Sequence, residues 1–483
     1  MMPYPGKKTL VLLFLLAFTL KFLTAIFLRY LLSCESIGYH LDELVVRGHD
    51  YISYHAAMEN YIQTGKYYFF NGKENVYASR LPHFSLLYLF FRQFLNIALA
   101  DFMVMVVQLG LECVAILVLS WLALRLTGNW FAFYLTFALC IISLPLTYYS
   151  IIVLPDSLSV SLLIVFVFSF HSYLKRPSGW LLLLSGLLLG LVVVLKPYFS
   201  LLYLGVGLFF LRETRQVFSG LGLVRVGTKT VVFSLPLLVM LLPWVIRNYQ
   251  IYQRFIPFQV DMVAGYDYTK ADLACRQYLQ TFGEDLLYWE VESAGYYFRN
   301  CRDNCTYEFP DYIFTPNNTN ARMEAVRADY QKLQQNFDTE LDQQVAAAFN
   351  SLTLNFARER PFRFYIGSRL ASLQNFLLQA APGYLPINKN AGCFRPYHLV
   401  IYYGQVVLYW STLLIGFTGL WLLGRKDVHH IILIAIPVYL LLLLPLALQF
   451  IEGRYFLHSY PFLLVGLVYI IERIRRRFVA VKI

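Results

Sequence analysis

The chain has 483 residues, 58% of them hydrophobic and only 14% charged, with a formal net charge of +11. A water-soluble domain of this length cannot hide so much apolar surface, so the soluble globular class is excluded. The apolar residues fall in long runs, and a bilayer-spanning helix needs about 20 of them in succession. The predicted class is an all-α polytopic membrane protein.

Ten runs have the length and composition of spans: residues 9–31, 102–124, 129–153, 157–174, 179–195, 197–211, 231–248, 397–423, 431–450 and 455–472. An eleventh, 84–99, carries Arg92. The N-terminus, 125–128, 175–178, 212–230, 424–430 and the C-terminus hold sixteen Lys and Arg against three acids. Everything else in the chain therefore sums to about −2. This is the positive-inside signal, and it predicts cytoplasmic termini and a multi-pass protein of the cell (inner) membrane. The basic excess is not a nucleic-acid signature, and no nucleic-acid partner is expected. With this parity 84–99 cannot cross the membrane. It is expected as a juxtamembrane helix on the outer surface. A cleaved signal peptide is not expected, because the first apolar run is too long and no small-residue cleavage site follows it.

Two external segments are large, 32–101 and 249–396. They divide the chain into an N-terminal membrane module, 1–248, with 32–101 as its external loop, then an external loop domain, 249–396, and C-terminal membrane helices, 397–483. Within the second loop, residues 321–370 have helical apolar periodicity broken at Pro361. Cys34, Cys275, Cys301, Cys305 and Cys393 are external, and one or two disulfides of open connectivity are expected there. Lys21 and Glu112 sit near the middle of the first two spans. Charges at that depth face a partner, so an ion pair between them is expected.

The external charges come next in chain order. Asp50 precedes a predicted helix over 51–64 that Gly65 stops, in the position of an N-cap. A cap fixes one carboxylate oxygen and leaves the other available for chemistry. Tyr51, Tyr54, Met58 and Tyr61 share a face of that helix. Arg80 and Pro82 open the surface helix. Asp156 follows Pro155 at the outer end of the fourth span. Lys196 and Pro197 form the tight outer turn between spans five and six. Arg247 and Asn248 end span seven. Arg454, Tyr455 and His458 stand at the outer start of span ten. Singly these are ordinary interfacial charges. Together they gather acids and bases at one membrane face, a set suited to a lipid phosphate: cations hold it, and a carboxylate takes a proton. No spacing demands a metal. A divalent ion shared by His49, Asp50 and Asp156 is the one cofactor these residues would admit.

In this order and spacing, the motifs make the chain similar to the polytopic C-type (GT-C) glycosyltransferases that use polyprenyl-phosphate sugars. It most resembles the bacterial aminoarabinose transferases and the protein O-mannosyltransferases, over about 40–250 and again at 450–461. The carrying residues are Asp50 with Tyr54 and Ala56-Ala57, Arg80-Leu81-Pro82, Pro155-Asp156, "GLLLGLVVVLKP" with Lys196-Pro197, "PWVIRN" with Arg247, and "RYFLHSYP" with Arg454. The aminoarabinose transferase type carries adjacent acids at the first motif. Here Asp50 is followed by Tyr51, and the acidic pair is Asp42-Glu43, so those two compete with Asp50 for the role of base.

The resemblance implies a GT-C-like bundle of about ten spans with juxtamembrane helices and an external helical domain. It implies inverting transfer on the outer (periplasmic) face, from a polyprenyl-phosphate (undecaprenyl-phosphate type) sugar to an acceptor hydroxyl of a protein, lipid or glycan, among membrane lipids. Asp50 would be the base and Asp156 a second catalytic acid that orients the sugar or Asp50. Arg80, Lys196 and Arg247 would hold the phosphate, with Tyr54, Arg454 and Tyr455 lining the cavity. The alternatives are a lipid-linked transporter or flippase, and a ligase using a pyrophosphate-linked glycan. Two corresponding halves with broken helices, the mark of many transporters, are not evident in the sequence. The charge parity is testable: a cysteine introduced at position 92 labels with an impermeant thiol reagent from outside intact cells, whereas labelling only from the cytoplasm reverses the topology.

Overall fold

A computed structural model of the chain describes residues 6–33, 45–47, 50–70, 75–213, 220–259, 269–283, 298, 309, 311–378, 385, 395–449 and 452–481. Asp42, Glu43, His49 and the cysteines Cys34, Cys301, Cys305 and Cys393 lie outside them. Cys275, the remaining external cysteine, is buried in a helix.

Tertiary contacts divide the chain into two units, Met1–Gly265 with Ala381–Pro437 and Leu457–Ile483, and Tyr266–Ala380 with Val438–Phe456. In the first unit the helices are α1 (Lys7–Ser33), α2 (Tyr51–Thr64), α3 (His83–Arg92), α4 (Ile97–Thr127), α5 (Trp130–Ile142), α6 (Leu144–Ile151), α7 (Pro155–Lys175), α8 (Gly179–Leu195), α9 (Leu202–Glu213) and α10 (Gly220–Tyr252). A two-residue hairpin pairs β1 (Phe69–Phe70) with β2 (Asn75–Val76). The second unit holds α11 (Lys270–Gln280), α12 (Asn320–Gln335), α13 (Thr339–Glu359) and α14 (Ser368–Leu378). The chain then forms α15 (Pro396–Lys426), α16 (Ile431–Leu441) and α17 (Tyr460–Val481).

The all-α polytopic class is what the fold displays. Among the described residues six helices are long and apolar enough to cross a membrane, or seven if α5 and α6, bent by 53° at Ser143, form one span. The expected count of ten is met only in part. The runs 179–195 and 197–211 fold as short apolar helices, and α17 carries Glu472, Arg473, Arg475, Arg476 and Arg477 in its C-terminal half. The surface helix also ends sooner than the apolar run 84–99 suggests. Asn96 accepts a hydrogen bond from the Leu99 amide at 2.9 Å and so starts a new helix, α4.

Buried charge determines which helices meet. Lys21 of α1 and Glu112 of α4 pair at 2.8 Å, as expected of two charges at matching depth. Lys21 also donates to Thr147 Oγ1 at 2.8 Å and to the Ser143 carbonyl at 3.3 Å, so α5–α6 takes the protons that Glu112 does not. Ser150 donates to the other Glu112 oxygen at 2.6 Å. Elsewhere glycine permits close approach: a Cβ at Gly186 of α8 would stand 2.0 Å from the Phe233 carbonyl oxygen of α10, and one at Gly419 of α15 2.0 Å from that of Gly466 of α17.

The second unit is built on an aromatic cluster of Tyr278, Phe298, Tyr330 and Phe349. Thr269 and Asp272 make a capping box at the start of α11, and Asp342 of α13 accepts from the amides of Lys270 and Ala271 at 3.2 and 2.9 Å. Helix α13 stops just before Pro361, as the periodicity predicts, but 336–338 adds a break between α12 and α13 that periodicity alone did not reveal.

Removing one partner of a buried pair strands the other charge. Lys21→Met is therefore expected to cost about 3 kcal/mol or more, and Lys21→Met/Glu112→Leu to recover most of it. Melting curves of the purified variants check this; equal loss in single and double variants contradicts it.

Candidate functional site

The unwound segment between α6 and α7 is the foundation of the site. Residues 152–154 leave helical geometry ahead of Pro155, so their backbone groups need partners. Val46 supplies them: its amide donates to the Ile151 carbonyl at 3.0 Å, and its carbonyl accepts from the Val153 amide at 3.1 Å, a parallel bridge between Val46 and Ile152. Gln108 of α4 donates to the carbonyls of Ser150 and Ile152, both at 2.9 Å. The segment leading to Asp50 thus runs beside the segment leading to Asp156.

Asp156 lies in the first turn of α7 and Lys196 follows the last residue of α8. The helices form an antiparallel hairpin with a three-residue connection, so these two ends are level. An acid at a helix N-terminus and a cation at a C-terminus each complement the local dipole. The pair closes at 2.8 Å, almost fully buried. One turn further along α7, Ser159 meets His458 Nε2 at 2.7 Å, and Tyr198 lies 3.5 Å from His458 Nδ1.

Asp50 does not cap α2 as expected. Its backbone is already helical (φ −67°, ψ −15°), and its carboxylate makes no bond to the first-turn amides. An N-cap side chain folds back from an extended backbone, which Asp50 lacks. The carboxylate instead faces the Arg80 guanidinium, Oδ1 to Nη2 at 3.8 Å, while Ser53 Oγ donates to the Asp50 carbonyl at 2.7 Å. Arg80 Nε donates to Ser53 at 3.3 Å and lies 5.1 Å from the Tyr54 ring centre, and Tyr54 packs edge-on against Phe84. Asp50, Tyr54 and Arg80 are thereby brought together by α2 and the turn before α3. Gly65 does stop α2, in the left-handed conformation at φ 73°.

Arg247, near the end of α10, is held by backbone. It donates to the carbonyls of Tyr67 and Tyr77, the latter at 2.8 Å, and its guanidinium lies 4.9 Å from the Trp244 ring centre. It lines a cavity of about 810 Å³ between α2, α3 and α10. Met58, Leu86, Leu89 and Met240 make much of the wall apolar, and Lys66 adds a second cation. Tyr67 connects this cavity to the Asp50 cluster. Burial pushes its phenol up, reinforced by Tyr54 and opposed by Arg247 and Arg80, so it stays a neutral side chain between the two guanidiniums.

A constellation absent from the sequence reading anchors α2 from behind. Asp101, fully buried at the start of α4, meets Arg47 Nε at 2.9 Å, Tyr51 Oη at 2.7 Å and His55 Nε2 at 3.0 Å. Tyr51 stacks on His55 with ring centres 3.8 Å apart. Burial and the neighbouring Asp101 carboxylate push the Tyr51 phenol up, so it remains a donor. The available signal was the i, i+4 spacing of Tyr51 and His55, which places two donors on one face of the predicted helix. Nothing local marks Asp101 as their acceptor.

Arg454 and Tyr455 belong to the second unit. There Arg454 pairs with Glu452 at 2.5 Å, and its guanidinium lies 5.3 Å from the Tyr455 ring centre. Among the described residues no three His, Cys, Asp or Glu side chains converge to hold a metal ion, and His49 lies outside them.

Searches against protein-family models, curated proteins and solved structures found no match. The constellation itself is the observation from which function is argued.

Asp101→Leu takes the acceptor from Arg47, Tyr51 and His55, the last of which is buried. A loss of about 2–4 kcal/mol is expected, against about 1 kcal/mol for Tyr51→Phe, which removes one bond. Chemical or thermal unfolding in detergent measures both; similar losses for the two variants deny Asp101 its central place.

Proposed function

We propose that this protein is a membrane glycosyltransferase that moves a sugar from a polyprenyl-phosphate donor to an acceptor hydroxyl. The observation that carries the reading is the large apolar cavity bearing Arg247 and Lys66, next to the Asp50–Arg80 cluster. Its volume is that of a small-molecule site, and its lining suits an amphiphile with an anionic head. A lipid phosphate meets both demands: the guanidinium holds the phosphate, and the apolar wall holds the start of the chain.

In this reading the acceptor oxygen attacks the anomeric carbon as Asp50 takes its proton. The bond from that carbon to the phosphate oxygen breaks, and its electron pair leaves with the phosphate. Arg80 and Arg247 stabilise the negative charge that grows there. Asp156 and Lys196 neutralise one another. They are assigned to orienting the sugar through that pair, with His458 and Tyr198 beside them. The donor faces the outer leaflet of the inner membrane, consistent with the positive-inside signal, and no metal enters these steps.

A lipid-linked transporter would use the same cavity without needing a base, so Asp50 separates the two readings. Its carboxylate makes no cap bond and stands 3.8 Å from Arg80, so Asp50→Asn is expected to cost no more than about 1 kcal/mol of stability. Transfer from a synthetic polyprenyl-phosphate sugar should fall by roughly 10²-fold or more, because the amide cannot take the proton. Arg247→Ala should weaken donor binding at least tenfold. Wild-type transfer by Asp50→Asn, with Asp42→Asn inactive, moves the base to Asp42. Donor binding without transfer in the wild type favours the transporter.

A further inference from the structure

A second cavity, of about 430 Å³, lies at the opposite end of α4. Its position separates it from the first site: Asp101 and Leu126 are roughly 38 Å apart along the helix at 1.5 Å per residue. Helices α4, α15 and α17 line it, and they contribute four cations, Arg425, Lys426, Arg473 and Arg476. The one carboxylate in the lining is Glu472, whose oxygens are already engaged. Arg475 and Arg476 each pair with it at 2.7 Å, and Asn129 donates to it at 2.6 Å. Lys426 and Arg473 meet no carboxylate among the described residues. Three positive charges in excess therefore converge on one concave surface. The rest of the wall is Leu126, Thr127, Leu422 and Tyr469. Beside it the exposed Trp421 ring lies 4.9 Å from the Arg425 guanidinium. An aromatic in that position is typical of the boundary between acyl chains and headgroups.

We propose that this cavity binds a phosphate-bearing anion, specifically the headgroup of an anionic phospholipid in the leaflet at the basic end of the molecule. The surplus cations take the phosphate, the leucines meet the first acyl methylenes, and Trp421 sits at headgroup depth. A basic pocket between spanning helices is the recurrent form of such a site, and each cation near the phosphate strengthens binding severalfold. Glu472 has a defined part: it fixes Arg476, which also donates to the Thr127 carbonyl at the end of α4. One wall of the pocket is thus built before lipid arrives.

The experiment uses the full chain purified in a zwitterionic detergent. It is titrated with short-chain phosphatidylglycerol and with the matching phosphatidylcholine, and binding is read by native mass spectrometry and by the shift in melting temperature. Phosphatidylglycerol is expected to bind at least fivefold more tightly. Lys426→Gln/Arg473→Gln should weaken it about tenfold and leave phosphatidylcholine unaffected. Arg477→Gln, outside the lining, should change neither. Both positions of the double variant are exposed, so its own melting curve should match the wild type. Displacement of phosphatidylglycerol by millimolar inorganic phosphate overturns the lipid assignment in favour of a free phosphate ligand. Equal binding of the two lipids, or an unaffected double variant, overturns the site.

Discussion

A carboxylate in an apolar helical bundle must be met by a cation or by several donors, and the first unit of this protein is arranged around that requirement. Glu112, Asp101 and Asp156 are all buried, and each is answered from another part of the chain. Glu112 joins α1 to α4 and α6. Asp101 fastens the start of α2 to α4. Asp156 locks the end of α8 to the start of α7. Satisfying these three charges constrains how the membrane helices can associate, where apolar side chains alone would discriminate little between partners.

The candidate site inherits its geometry from those locks. Asp50 and Arg80 lie on short elements with little core of their own. Their positions are set by the Asp101 constellation behind α2 and by the Val46–Ile152 bridge beside it. Lys196 is a further case: it is paired with the buried Asp156, so in the proposed reading Arg247 carries more of the anion's charge. Arg247 differs from Lys196 in resting on backbone carbonyls, which steer its planar fork without cancelling its charge.

The two ends of the unit divide the charges by role. At one end acids and bases are paired closely around an apolar cavity. At the other, the cations lining a concave surface exceed the carboxylates in it.

Much of this was legible in the sequence. Long apolar runs announce a helical membrane protein, because a backbone in lipid must satisfy its hydrogen bonds internally. The Lys21–Glu112 pair followed from depth, and the Gly65 stop from glycine's access to positive φ. Pro155-Asp156 and Lys196-Pro197 were visible as helix-end signals. Other features depended on contacts between residues far apart in the chain. Asp50 looked like a cap, and only the backbone angle and the approach of Arg80 made it the partner of a cation. Asp101 read as an ordinary residue at a span boundary until Arg47, Tyr51 and His55 were folded onto it. The separation of α3 from α4 turned on a single side chain, Asn96, and the break before α13 on a cap at Asp338. Hydrophobic period and helix-end chemistry are local, so the sequence determined the class, most helices and the charges at each end. Which charges pair is decided by distances between segments that only the packed helices define.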